Sequence, residues 1–424
     1  MLLVLATWET RMTPELIDTL VAVRDALLGR LPINSIEILR QIPHPVPGYR
    51  KQDGTWVDAS AWPVSDDQKV LAPGLMDPWY DPVKSASFDT AIKVLGPDFS
   101  TLKTAVVSLK SIYAPVIGEI DSNVDAPGAS TAKVAGLYAL FQLLYEMTKL
   151  AKEKSLTSIP ALQREANALW AAKGFSNNAA KNRLPKLDIL FAFHPFADAS
   201  VRIFRTVDSP IVDYFDMFDP VAATPKLFFT KRILEILWPK PGGSSGTEAE
   251  GFSAGEQAGL LFRHMGYAYV ASVMLQSGLF KWDGASSGEG IWVRCDYNNR
   301  TWKRSENPLP GFSSIQNITA RSVADFFVLL MQKRLVNEKA SKEMIKILDV
   351  GGCFSIFDPD LLDDVIASKC GFVSDIANDA IVLKDPVAST YVVVTVTRKR
   401  SLATKLQRKQ NQFFNGIKAA IAAI

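Results

Sequence analysis

Asp125-Ala-Pro-Gly-Ala-Ser130-Thr-Ala-Lys133 is the stretch on which the fold of this chain turns. Pro127-Gly128 marks a tight turn. Behind it, Ser130 opens a helix expected to run to about Lys154, with Val134, Leu137, Leu140, Phe141 and Leu144 along an apolar face. Residues three apart share one face of a helix, so Lys133 stands beside Ser130 one turn on. A serine hydroxyl is a poor nucleophile until a base takes its proton. A lysine serves as that base when burial and positive neighbours depress its pKa. The helix start also leaves backbone N–H groups free to stabilise an oxyanion. The plain alternative is a capping serine followed by a solvated lysine. Ser100-Thr-Leu-Lys103 repeats the same four-residue pattern. What separates Ser130 is its setting, a Pro-Gly turn before it and a long apolar helix after it.

Working outward, a second stretch is Ala367-Ser-Lys-Cys-Gly371, which leads into strand candidates around Ala380–Leu383 and Tyr391–Thr397. A lysine ahead of a strand with glycine two residues on lets a substrate approach the backbone closely, and an ordinary strand start reads the same way. Between the two stretches lies Ser253 to Leu279, a helical segment containing Tyr267-Ala-Tyr269. A further strand, Tyr113 to Ile120, contains Pro115, which assigns it an edge or end position. Thr319 to Leu348 reads as one or two helices, and Leu402 to Ile424 as an amphipathic helix.

This ordered set resembles the serine β-lactamase and penicillin-binding protein superfamily, with Ser130-x-x-Lys133 as its S-x-x-K and Lys369-Cys-Gly371 as its K-T-G motif. Lys369 lies 102 residues after Tyr267, close to the class A separation. The resemblance covers about residues 105 to 424. It implies an α/β (α+β) fold: a mostly antiparallel sheet flanked by helices, a helical subdomain, and the first and last strands of the region as neighbours. It divides the chain into an N-terminal extension over 1–104, a helix plus an irregular packed segment, and a β-lactamase-like domain over 105–424 with an insertion around 155–250.

Carried over residue by residue, the resemblance implies that Ser130 is acylated and that Lys133 acts as base or proton shuttle. The N–H groups of Ser130 and Phe372 would form the oxyanion hole, with Gly371 beside them. Lys369 would keep Lys133 neutral and attract an anionic substrate group. Tyr267 falls at the position of the second-motif serine, where a phenol can still relay a proton. Tyr269 stands where an asparagine amide is expected, and aromatic core packing is the competing reading for both tyrosines. Cys370 replaces a hydroxyl residue with a weaker donor. Arg304-Ser-Glu306-Asn-Pro-Leu309-Pro310 resembles the class A Ω-loop. There Glu306 would position the deacylating water or, alternatively, form a loop salt bridge with Arg304. The implied activity is serine hydrolysis through a Ser-Lys acyl-enzyme on a small-molecule ester, amide or β-lactam-like substrate. Tyr269, Cys370 and the uncovered insertions motivate the alternative, a binding or scaffold protein with a degraded site.

Composition supports this frame mainly by exclusion. With 424 residues, 48% hydrophobic and 21% charged, the chain has the make-up of a globular protein. Length alone gives a prior of two to three domains. A net charge of +3 does not argue for nucleic acid as a partner. Three cysteines (Cys295, Cys353, Cys370) and three histidines (His44, His194, His264) show no ligand or CxxC spacing, so neither a metal, a redox pair, a cofactor nor a histidine triad is signalled. No apolar run of about 20 residues predicts a membrane span. The apolar start Met1 to Trp8 is a poor signal peptide, which makes the cytoplasm the default expectation although members of the resembled family usually act outside it.

Overall fold

The computed structural model describes residues 49–50, 56–57, 78, 80–95, 102–112, 114–156, 159–172, 262, 265–282, 286–293, 314, 316–336, 338–349, 354–362, 364–373, 375–397 and 399–424. At its centre is a five-stranded antiparallel sheet in the order β4-β3-β11-β10-β9. Its strands are β3 (Lys103–Ser108), β4 (Val116–Ile120), β9 (Asp364–Val373), β10 (Ile376–Asp385) and β11 (Ser389–Thr397). β3 pairs with β11, so an early strand does lie beside the last one, but that strand is Lys103–Ser108; the expected strand at Tyr113 to Ile120 is β4, which sits outside β3 at the sheet edge. Pro115 ends the loop before β4, which is an edge strand, so the proline's missing N–H costs the ladder nothing.

β10 and β11 contain the unbroken apolar runs 380–383 and 391–394 because both faces of the sheet are covered there. Ala380, Val382, Val392, Val394 and Val396 join one core, and Ile381, Leu383, Tyr391 and Val393 the other. The first core is closed by α2 (Lys133–Glu153), α3 (Ile159–Ala172), α4 (Tyr267–Gln276), α5 (Ala320–Met331) and α6 (Glu338–Asp349). The second is closed by α1 (Pro82–Val94), α7 (Arg400–Arg408) and α8 (Gln410–Ala422). The tail expected as one helix is therefore two, broken at Lys409. The long segment from Thr319 is likewise two helices, and α5 starts with a capping box in which Thr319 and Ser322 satisfy each other's backbone N–H groups.

Residues before the central sheet enter the same body. Asp81 caps α1 by accepting from the N–H groups of Val83 and Lys84. Phe88 and Ile92 of α1 lie against β4, where Gly118 leaves space for them. β1 (Tyr49–Arg50) pairs with β2 (Trp56–Val57) and with β5 (Phe280–Trp282), and β5 pairs in turn with β6 (Gly288–Gly290). A two-stranded ribbon, β7 (Trp292–Val293) with β8 (Gln316–Asn317), completes the sheets. A part-buried ionic cluster ties three segments together. Arg321 of α5 binds Glu119 of β4 at 2.9 Å and Asp325 at 3.1 Å, and Tyr80 donates to Asp325 at 2.6 Å. The Arg321 guanidinium also lies 4.7 Å over the Tyr80 ring. Thr13-Pro14-Glu15, whose cap chemistry reads as a helix start in the N-terminal extension, and all three histidines fall outside the described residues.

Candidate active site

The Pro-Gly turn does not run straight into an α-helix. Ala129–Ala132 forms a 3-10 turn, and the α-helix begins at Lys133. Ala129 has φ +43°, a left-handed conformation that a non-glycine residue adopts at a cost. Something must hold it there. The Thr131 N–H bonds the Gly128 carbonyl at 3.0 Å, and the Lys133 N–H bonds the carbonyls of Ser130 and Thr131. Ser130 is half-buried, whereas Lys133 is only 2% exposed. Burial lowers the Lys133 amine to about 8, the direction a general base requires.

β9 brings the second motif to this turn. A Cβ added at Gly371 would lie 2.6 Å from the Gly128 carbonyl oxygen and 2.6 Å from Thr131 Oγ1. Only glycine permits that approach. Side chains alternate along a strand, so Lys369 shares the face of Gly371. Lys369 is 1% exposed and its ammonium donates to the Cys370 carbonyl at 2.7 Å. Burial, and then repulsion from Lys133, pull its pKa well below the ordinary lysine value, while Asp379 acts in the opposite sense. The two lysines therefore lie close enough to feel each other. The decoy is excluded by the same reasoning: Lys103 starts β3 rather than following a helix start.

Cys370 faces away from Gly371, opposite Asp379 in the strand register. It is one half of a disulfide, and the other two cysteines fall outside the described residues. This corrects one expectation. The thiol donor expected at Cys370 is not there, and the absence of a spacing signal is no guide to a disulfide. On the same face Asp379 accepts from the N–H groups of Ser355, Ile356 and Phe357 at 2.7–3.0 Å, anchoring the segment before β9. Beyond Gly371, Phe372 and Val373 are exposed apolar side chains at the end of this edge strand.

Both tyrosines are buried in the helical core. Tyr267 is the first residue of α4, following Gly266 at φ +82°, and is 3% exposed. Tyr269, two positions on, turns into the helical core against Trp170, with ring centroids 6.3 Å apart. Burial and the nearby Glu146 raise its phenol well above 10, so it stays neutral. Aromatic packing is thus the reading that holds for Tyr269. Arg304 and Glu306 fall outside the described residues.

Three residues not singled out from sequence belong to this site. Asn378 of β10, 1% exposed, donates to the carbonyls of Pro127 at 3.0 Å and Gly128 at 3.2 Å, and accepts from the Thr397 N–H. Gln316 of β8 donates to the Ala129 carbonyl at 2.6 Å. Asp125 accepts from Asn317 at 3.1 Å and from the Gly290 N–H at 3.4 Å, and burial raises its carboxyl to about 6. Each meets a partner far away in sequence, so no local pattern reveals it. Among the described residues no His, Cys, Asp and Glu group is arranged to hold a metal ion, and no helix is long and apolar enough to cross a membrane.

A family model described as the beta-lactamase enzyme family matches residues 290–423, from the end of β6 to α8. Solved structures similar to the chain include three. The TLA-1 extended-spectrum β-lactamase is 12% identical, covering 80% of this chain and 99% of that one, with a TM-score of 0.42. A class A β-lactamase from Bacteroides cellulosilyticus has the same identity, coverages and TM-score. A β-lactamase from Chitinophaga pinensis is 12% identical, covering 80% of this chain and 98% of that one, with a TM-score of 0.41. No curated protein matches the chain.

Proposed function

We propose that this protein is a serine hydrolase that works through a Ser130-Lys133 acyl-enzyme on an ester, amide or β-lactam-like small molecule. The family match supports hydrolase chemistry in general. The observation that carries the finer reading is the approach of β9 to the Ser130 turn, with Lys133 and Lys369 both buried and both depressed in pKa.

In this reading Lys133, a large fraction of it neutral at mildly alkaline pH, takes the Ser130 proton as Oγ attacks the substrate carbonyl. A C–O bond forms, and the electron pair of the carbonyl moves to oxygen. The N–H groups of Ser130 and Phe372 receive that oxyanion. Collapse expels the leaving group, which takes a proton back through Lys133, with Tyr267 as the candidate relay. Water then attacks the acyl-serine to release the acid. Glu306 remains the candidate to orient that water. Lys369 shares the buried volume with Lys133, and it is the Lys369 amine that burial and the Lys133 charge push down, so in this reading Lys369 serves as a hydrogen-bond donor beside the base.

A second reading, a binding or scaffold protein on the same fold, draws on two observations. Tyr269 packs against Trp170 rather than offering an amide-like group, and Cys370 is tied in a disulfide. Incubation with a fluorophosphonate and with a penicillin-type probe, followed by intact-mass measurement, separates the two. An adduct that disappears in Ser130→Ala supports the hydrolase. Absence of an adduct with both probes, or one that survives Ser130→Ala, supports the scaffold.

A further inference from the structure

Three consecutive carbonyls precede the candidate nucleophile, and two side-chain amides from two different strands hold them. Asn378 of β10 donates to those of Pro127 and Gly128, and Gln316 of β8 donates to that of Ala129. The two strands approach the turn as parts of different sheets. A trans peptide fixes its C=O and N–H in opposite directions. The Ala129 carbonyl and the Ser130 N–H belong to one peptide plane. Holding the carbonyl at 2.6 Å from Gln316 therefore sets where the Ser130 N–H points. The strained φ of +43° at Ala129 is the torsion on the other side of that residue, and it is most easily lost if either amide lets go.

We infer that Gln316 and Asn378 form a clamp that aims the Ser130 N–H into the oxyanion position, making both of them positioning residues. The inference rests on the Ser-Lys reading for its catalytic consequence but not for its geometry. Asn378 is the fixed jaw. It is 1% exposed, and its oxygen is engaged by the Thr397 N–H, so its amide group has one orientation. Gln316 is the second jaw. It is half-buried and sits on a two-residue strand, next to the Ala126–Ile318 bridge that ties the ribbon to the turn. A clamp of this kind acts on the transition state more than on substrate affinity, because the oxyanion hydrogen bond matures only as charge develops.

Two near-isosteric substitutions test it in the full-length protein. Gln316→Met removes the donor without adding charge. Asn378→Asp keeps the acceptor for Thr397 and replaces the donor by a carboxylate. In each, acylation by a fluorophosphonate at saturation is expected to fall about 10- to 100-fold, with the concentration for half-maximal labelling changed less than about threefold. Hydrogen exchange of the Ser130 and Thr131 amides, normalised to the Thr397 amide, is expected to speed up about tenfold or more. Unchanged exchange at the turn overturns the clamp, whatever the activity. A loss confined to half-maximal concentration, with the saturated rate intact, also overturns it. If the wild type is not labelled at Ser130, the Ser-Lys reading fails, and the exchange measurement alone decides whether the clamp exists.

Discussion

Gly371→Ala is the sharpest test of the packing between the two motifs. The added methyl would sit 2.6 Å from the Gly128 carbonyl oxygen, 2.6 Å from Thr131 Oγ1 and 2.9 Å from Thr131 N. Two of these three atoms are backbone, so the contact cannot be relieved by rotating a side chain. Ordinary contact begins near 3.4 Å, so β9 and the Ser130 turn must separate by about 0.8 Å. Neither partner is free to yield. The turn is held by Asn378 and Gln316, and β9 is paired along its length with β10. Forcing a methyl into a packed site costs about 1–3 kcal/mol. A displacement approaching 1 Å at a catalytic centre costs about a hundredfold in rate. Urea unfolding and the rate of covalent labelling, measured side by side, should therefore both fall by these amounts. A Gly371→Ala protein with the wild-type midpoint and a labelling rate within about twofold would refute the close approach of the two motifs.

Lys133 has a folded pKa of about 8 against an ordinary value near 10.5, so between those values the unfolded chain holds the extra proton. Stability should rise with pH across that interval, and Lys133→Met should shrink the rise and stabilise the protein at pH 7 by on the order of 3 kcal/mol, read from urea unfolding at pH 7 and 10. Arg321→Ala leaves the part-buried Glu119 and Asp325 without their cation and should cost about 3 kcal/mol; adding Asp325→Asn should recover part of that loss, and additive costs would argue against the coupling. With three cysteines and Cys370 in a disulfide, denatured unreduced protein should titrate one thiol with a thiol reagent, and reduced protein three. Three without reduction would remove the disulfide.

The sheet and its motifs were legible to the extent that they are local. Strands around Ala380–Leu383 and Tyr391–Thr397 announce themselves as apolar β-branched runs, and Pro115 marks the start of an edge strand. Ser130 is marked by its Pro-Gly turn. β3 was missed because Lys103–Ser108 is a short run buried on both faces, which has no period to read. Its first residue also belongs to the decoy motif. The clamp is invisible for a different reason: Asn378 reaches Pro127 across 251 residues, and Gln316 reaches Ala129 across 187. A lone polar residue inside a strand carries no sign of what it will meet. The disulfide of Cys370 was hidden in the same way. Tyr267 and Tyr269 show a further limit: a spacing of two puts them on different sides of a helix, yet both are buried, because neighbours cover both sides of α4.

Whether Ser130 is a nucleophile activated by a buried lysine is decided by the pH dependence of covalent labelling, with the modified residue located by peptide mapping. Labelling at Ser130 is expected, with a rate rising through about pH 8 as Lys133 loses its proton, and with Lys133→Met abolishing the rise. Adduct on a residue other than Ser130, or a rate at Ser130 that is indifferent both to pH across this range and to Lys133→Met, would contradict that role.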